Sequence, residues 1–176
     1  MIRRKHNGIR PQDIVVLLKL IVDSDTKYTQ LQLAADLAIS LSEVSESLER
    51  SKFSGLLSDD KQTVNRQALL DIIIYSIQYI FPVKPLGFVK GMPTAHSYTG
   101  FESQFLSEQK YVWPHAEGTA IGLEVQPLYP NQAEAAKKDE ELYKILAAID
   151  MIRLGRKREQ KFGKEMVSTI ILGSLV

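Results

Sequence analysis

The chain contains no cysteine, which excludes disulfides and cysteine-ligated metal sites and makes a reducing, cytoplasmic setting the natural expectation. It also has no long apolar run. The two candidates, 14–22 and 72–81, are too short to span a bilayer, and Lys19 interrupts the first. The basic opening MIRRKHNGIR is not followed by the apolar core of a signal peptide. Histidine is scarce: His6, His96 and His115 are the three present, and none stands at metal-site spacing from another histidine or a carboxylate. No GxSxG elbow, Walker loop or GxGxxG after a strand is found. The nearest approach to a catalytic constellation is Trp113-Pro114-His115-Ala116-Glu117, a base and an aromatic surface in one turn. These absences leave a globular protein that is expected to need no metal or cofactor and not to be an enzyme.

Net charge is also small, +1 over 176 residues, yet the charges are segregated. Arg3, Arg4, Lys5 and Arg10 occupy the first ten residues without an acid, and Arg153, Arg156, Lys157, Arg158, Lys161 and Lys164 are opposed only by Glu159. Between them, residues 36–60 hold six acids against Arg50 and Lys52. Any attraction to phosphate is therefore expected from the two basic clusters.

The most informative stretch is Tyr28–Leu57. Leu31, Ala34, Ala35 and Leu37 recur at helical spacing behind Thr29, which can cap the helix, and that helix is expected to end near Ala38. Ile39 turns inward, and Ser40 or Ser42 can cap a second helix running to about Phe53 with Val44 and Leu48 on its buried side. Gly55 can take the left-handed conformation that ends helices, after which Leu56 and Leu57 re-enter the core. Two helices joined by so short a turn make a helix-turn-helix unit, whose second helix can lie in a major groove.

Ala34, Leu37, Ile39, Ser40, Val44 and the Gly55-Leu56-Leu57 ending resemble the winged-helix regulators of the MarR type. The departures from that pattern are Ala38 where glycine is usual, Ser47 and Ser51 where apolar residues are usual, and the acids Glu43, Glu46 and Glu49 on the second helix. The resemblance implies a transcriptional regulator that binds specific double-stranded DNA, as a homodimer on a palindromic site. Ser42, Glu43, Ser45 and Glu46, on the exposed N-terminal part of that helix, are expected nearest the base edges. Arg50, Lys52 and Lys61 are the expected phosphate contacts, helped by Arg3, Arg4 and Lys5 in the N-terminal arm. The alternative is a protein-interaction module, antitoxin-like or accessory, whose acidic helix faces a basic partner. Surface charge around Ser42–Arg50 separates the two.

Around this stretch the sequence predicts a mainly helical fold with a small β component. Pro11 opens a first helix with Ile14, Leu17, Leu18 and Ile21 as its stripe. A very small wing is expected from 56–58 and 63–64, then a helix from Arg66 to Phe81 capped by Asn65, apolar enough to pair with a second copy. Residues 8–81 thus read as a winged helix-turn-helix domain and 82–176 as a region packing on it. In the latter, 82–110 reads as loop with short local structure and 111–125 as a β-hairpin. Helices capped by Asn131 and Asp139 follow, with Gly155 ending the second of them before the last, basic helix.

Overall fold

The computed structural model describes residues 7–173. Helix α1 (Pro11–Val22) starts with Pro11 in its first turn, where a missing N–H costs nothing. Its predicted stripe is buried, but so are Val15, Val16 and Leu20 on the other sides, because α1 lies between α2 and α3 on one flank and α7 and α8 on the other. Full burial forces its charged residues to find partners. Asp13 pairs with Arg50, and Lys19 donates to Asp139 at 2.7 Å.

Helix α2 (Gln30–Leu37) is capped by Thr29, whose side chain accepts from the Gln32 N–H while the Gln32 side chain returns to Thr29 N. It ends at Ala38, a left-handed residue with φ 53° and ψ 44°. After Ile39, Ser40 caps α3 (Leu41–Phe53), and Gly55 (φ 74°) turns the chain back so that Leu56 and Leu57 are buried. The expected wing is one bridge, Leu57 to Val64, closed by a tip in which the Asp60 carboxylate accepts from the N–H groups of Gln62 and Thr63. Asn65 caps the next helical rod as expected. That rod is α4 (Arg66–Asp71), a π-helical turn over Ile72–Ser76, and α5 (Ile77–Ile80). Leu69, Leu70, Ile73 and Ile77 are covered within the chain, whereas Tyr75, Tyr79 and Ile80 face outward.

The second half departs from expectation in its strands. Within the predicted loop, Phe88–Pro93 forms β1. Strands β2 (Tyr111–Pro114) and β3 (Ala120–Glu124) are not a hairpin: they run parallel, with Tyr111 opposite Leu123, and each pairs antiparallel with a different half of β1. The three strands close on themselves. Gly91 stands where β1 crosses from one partner to the other, and a Cβ there would lie 2.1 Å from the Trp113 carbonyl oxygen. A side chain cannot be accommodated at that crossing.

Helices α6 (Gln132–Lys138), α7 (Glu140–Leu154) and α8 (Lys157–Leu172) complete the chain. Asp139 caps α7 as predicted; Asn131 stands at the N-cap of α6 as expected but makes no side-chain cap bond, its Nδ2 donating instead to the Ala38 carbonyl at 2.7 Å. Tyr129 Oη donates to the Leu37 carbonyl and Lys138 Nζ to that of Ala35. The second half thereby satisfies the carbonyls that the end of α2 leaves open. Buried Asp150 on α7 accepts from Trp113 Nε1, Thr94 Oγ1 and Arg153, tying the strands to the helices. One continuous apolar cluster runs from Ile14 to Ile171, so the boundary read at 81/82 does not divide the core.

Candidate nucleic-acid interface

The outer face of α3 is built by its cap and its neighbours. Ser40 Oγ accepts from Glu43 N, and the Glu43 carboxylate accepts from the Ser40 N–H and hydroxyl at 2.9 and 2.7 Å. Those bonds hold the Glu43 carboxyl below its ordinary range. They also turn one of its oxygens toward the helix start. Ser42 and Glu46 are exposed and Ser45 half-buried, so the structure brings these predicted residues onto one open face. Val44 and Leu48 lie on the opposite side, in the core.

Arg50 corrects the sequence reading. Its guanidinium grips both oxygens of Asp13, at 2.7 and 2.8 Å, in a buried fork against α1, and Glu46 lies at 3.4 Å. The bond to Asp13 holds Arg50 even more firmly protonated than usual, and a group committed in this way does not reach out to phosphate. The reason is helical geometry: Arg50 shares the inner face with Ser47 and Ser51, both fully buried, whose small side chains let α1 approach. Neither serine oxygen has a hydrogen-bond partner.

Lys52 and Lys61 remain at the surface, each on a carboxylate. Lys52 Nζ lies 3.0 Å from Asp59 Oδ1 and Lys61 Nζ 2.5 Å from Glu49 Oε1. The ammonium of Lys52 is stabilised and the Glu49 carboxyl lowered by these bonds. Such exposed pairs are weak and exchange readily for another anion. Five carboxylates, Glu43, Glu46, Glu49, Asp59 and Asp60, thus face two ammonium groups, Lys52 and Lys61, around the outer side of α3 and the hairpin tip. Leu41 and Phe53 are exposed at the two ends of the helix. A cavity of about 250 Å³ lies beside it, lined by Asn7, Ser45, Glu46, Glu49, Arg50 and Phe53.

Of the basic clusters, Arg3, Arg4 and Lys5 lie outside the described residues. In the second, Arg153 is withdrawn by Asp150 and by the Phe81 carbonyl, while Arg156, Lys157, Arg158 and Lys161 are exposed. Arg158 stands over the Phe105 ring and donates to Gln104 O, so this cluster borders the loop before β2.

The turn at Trp113–Glu117 gains partners that spacing alone does not reveal. Glu134 Oε1 lies 2.5 Å from His115 Nε2, and Lys137 Nζ donates to Glu117 at 2.6 Å. The Glu117 N–H donates to His115 Nδ1 at 3.2 Å. Both ring nitrogens are committed, and Trp113 points away into the core. The arrangement ties the turn to α6. No protein-family model matches the chain, and neither a curated protein nor a solved structure does so at a significant level.

Proposed function

We propose that residues 8–81 form a winged helix-turn-helix of MarR-like type and that the protein is a sequence-specific double-stranded DNA-binding transcriptional regulator. The observation that carries this reading is the setting of α3: it follows a turn of Ala38-Ile39-Ser40, is braced from behind by α1 and α2, and presents Ser42, Ser45, Glu46 and Glu49 away from its own core. In this reading Ser42, Glu43, Ser45 and Glu46 meet base edges, and Lys52 and Lys61 exchange their carboxylate partners for phosphate. A homodimer on a palindromic site belongs to the same proposal, with Tyr75, Tyr79 and Ile80 as apolar surface available for pairing.

The test is a gel shift with the DNA upstream of the protein's own gene, repeated over a salt series. Binding should weaken with a log–log slope of about −0.9 per phosphate neutralised. Ser45→Ala with Glu46→Ala should change sequence preference by about 1–3 kcal/mol per lost base contact. Light scattering should give twice the 19.9 kDa chain mass. A second reading has its own support in the excess of carboxylates on α3: a protein-interaction module, antitoxin-like or accessory, that takes a basic partner. Failure to shift any duplex, together with capture of a basic protein that Glu46→Lys releases, would put that reading first.

A further inference from the structure

We propose that His96 is a proton-operated latch: a second proton, taken at Nδ1, turns its bare contact with Glu159 into a charged hydrogen bond that fastens the turn at 94–97 to the start of α8. The proposal goes beyond the DNA reading and stands whether or not α3 binds a duplex.

The turn is already tied on three sides. Thr94 Oγ1 donates to Asp150 of α7 at 2.8 Å, Ser97 Oγ accepts from the Tyr111 N–H of β2 at 2.9 Å, and His96 Nε2 lies 2.9 Å from the carbonyl oxygen of Gln109. Between these ties buried Ala95 sits in the left-handed region at φ 51°, a conformation that an L-residue keeps only where its surroundings impose it. The His96 ring, 6% exposed, is held in place by the same surroundings.

A carbonyl oxygen only accepts, so the bond to Gln109 requires that the proton of the neutral ring be on Nε2. Nδ1 is then a lone-pair acceptor, buried and without a hydrogen-bond partner. Its neighbour is a second acceptor. Glu159 Oε1 of α8 lies 3.6 Å away, on a carboxylate whose other oxygen accepts from the Arg156 N–H at 2.9 Å. One proton between the two would satisfy both, and a buried acceptor left bare is costly. The other charged and titratable groups around the turn do not supply it. Asp150 of α7 is taken by Thr94, Trp113 and Arg153, and Glu140 by the Tyr98 hydroxyl. The Tyr111 ring centre lies 4.8 Å from that of the imidazole, and burial together with Glu159 holds its phenol above the ordinary value. The Arg156 side chain is exposed at the start of α8. Glu102 and Lys110, also exposed, line with His96 a cavity of about 170 Å³ that gives a solvent proton its way in. The new bond exists only with the proton on, so the latch closes in acid and opens as pH rises.

Amide hydrogen exchange of Gln160, whose N–H donates to the Arg156 carbonyl in the first turn of α8, reads the latch. Measured from about pH 8 to about pH 5.5 and corrected for the intrinsic pH dependence of exchange, protection should rise about tenfold in the parent, the worth of one charge-assisted bond. It should stay flat in His96→Phe. Carboxylates remain ionised across that window, so they do not imitate the effect. Glu159→Gln tests the chemistry directly: its side-chain N–H can donate to the neutral Nδ1, so protection should already be high at the alkaline end and gain nothing in acid. Long-range nitrogen spectra of the His96 ring should pass from the Nε2–H tautomer to the doubly protonated form over the same window. A ring that stays neutral throughout, or a rise in protection that is equal in the parent and in Glu159→Gln, overturns the proposal.

Discussion

Replacing Arg50 with glutamine separates a structural role from a nucleic-acid one. The guanidinium makes two bonds to Asp13, whose side chain has no solvent exposure, and is itself only 9% exposed. Removing one member of such a pair strands the other in the core and costs about 3–5 kcal/mol. At about 2–4 °C per kcal/mol for a chain of this size, Arg50→Gln should lower Tm by roughly 6–20 °C. The urea midpoint should fall with an unchanged slope, since the surface exposed on unfolding stays the same. Asp13→Asn with Arg50→Met should recover much of the loss, because no charge is left unpaired. Duplex affinity, measured well below the transition, should match the parent's. A Tm within about 2 °C of the parent, together with a clear fall in affinity, would refute the reasoning and return Arg50 to the phosphates.

Ala38 occupies the left-handed region, which costs an L-residue about 1–2 kcal/mol, whereas glycine's looser unfolded chain returns about 0.4–1 kcal/mol. Ala38→Gly should therefore stabilise the fold by up to about 1.6 kcal/mol in chemical denaturation. Ser47→Ala and Ser51→Ala remove buried hydroxyls that lack partners, and each should raise stability by about 1 kcal/mol; a loss would mean that the hydroxyls are satisfied. The Ser58 hydroxyl and the Gln62 and Thr63 N–H groups lower the Asp60 carboxyl from 3.8 to about 2. A depressed folded value favours the ionised form, so the hairpin tip should be fully held above about pH 4 and lose that support as pH falls toward 2. Amide titrations of Gln62 and Thr63 with a midpoint near the ordinary carboxylate value would contradict it.

What could be read from the sequence was what neighbours in the chain decide. Thr29, Ser40, Asn65 and Asp139 cap helices because the groups they satisfy lie within three residues. Gly55 and the inner positions Val44 and Leu48 follow from backbone freedom and helical period. Contacts across the chain carried no such signal. Arg50 looked like a surface cation because its partner is 37 residues away on another helix, and Glu134 sits on His115 only after β3 and α6 have folded back. The strand β1 was masked by Gly91 and Pro93, which read as loop residues but serve at a crossing and a strand end. The parallel pairing of β2 and β3 depends on β1 lying across both, so a pattern read from 111–125 alone favours a hairpin.

The position of α1 has a consequence for how the protein is made. Synthesis delivers α1 ahead of its later partners: Asp36 lies 3.5 Å from Lys19, but the closer carboxylate, at 2.7 Å, comes only with Asp139, and α7 and α8, which cover the other flank, belong to the same late part of the chain. Arg66 likewise donates to the carbonyl of Ile171. Until those residues leave the ribosome, the nascent chain carries an apolar helix with one side bare and a lysine placed for burial without its closer counterion. Its first half can therefore cover that flank only as elongation continues. Products that stop before α7 and α8 should expose the bare flank of α1, so a finished C-terminal pair of helices is the condition for a closed core around the N-terminal one.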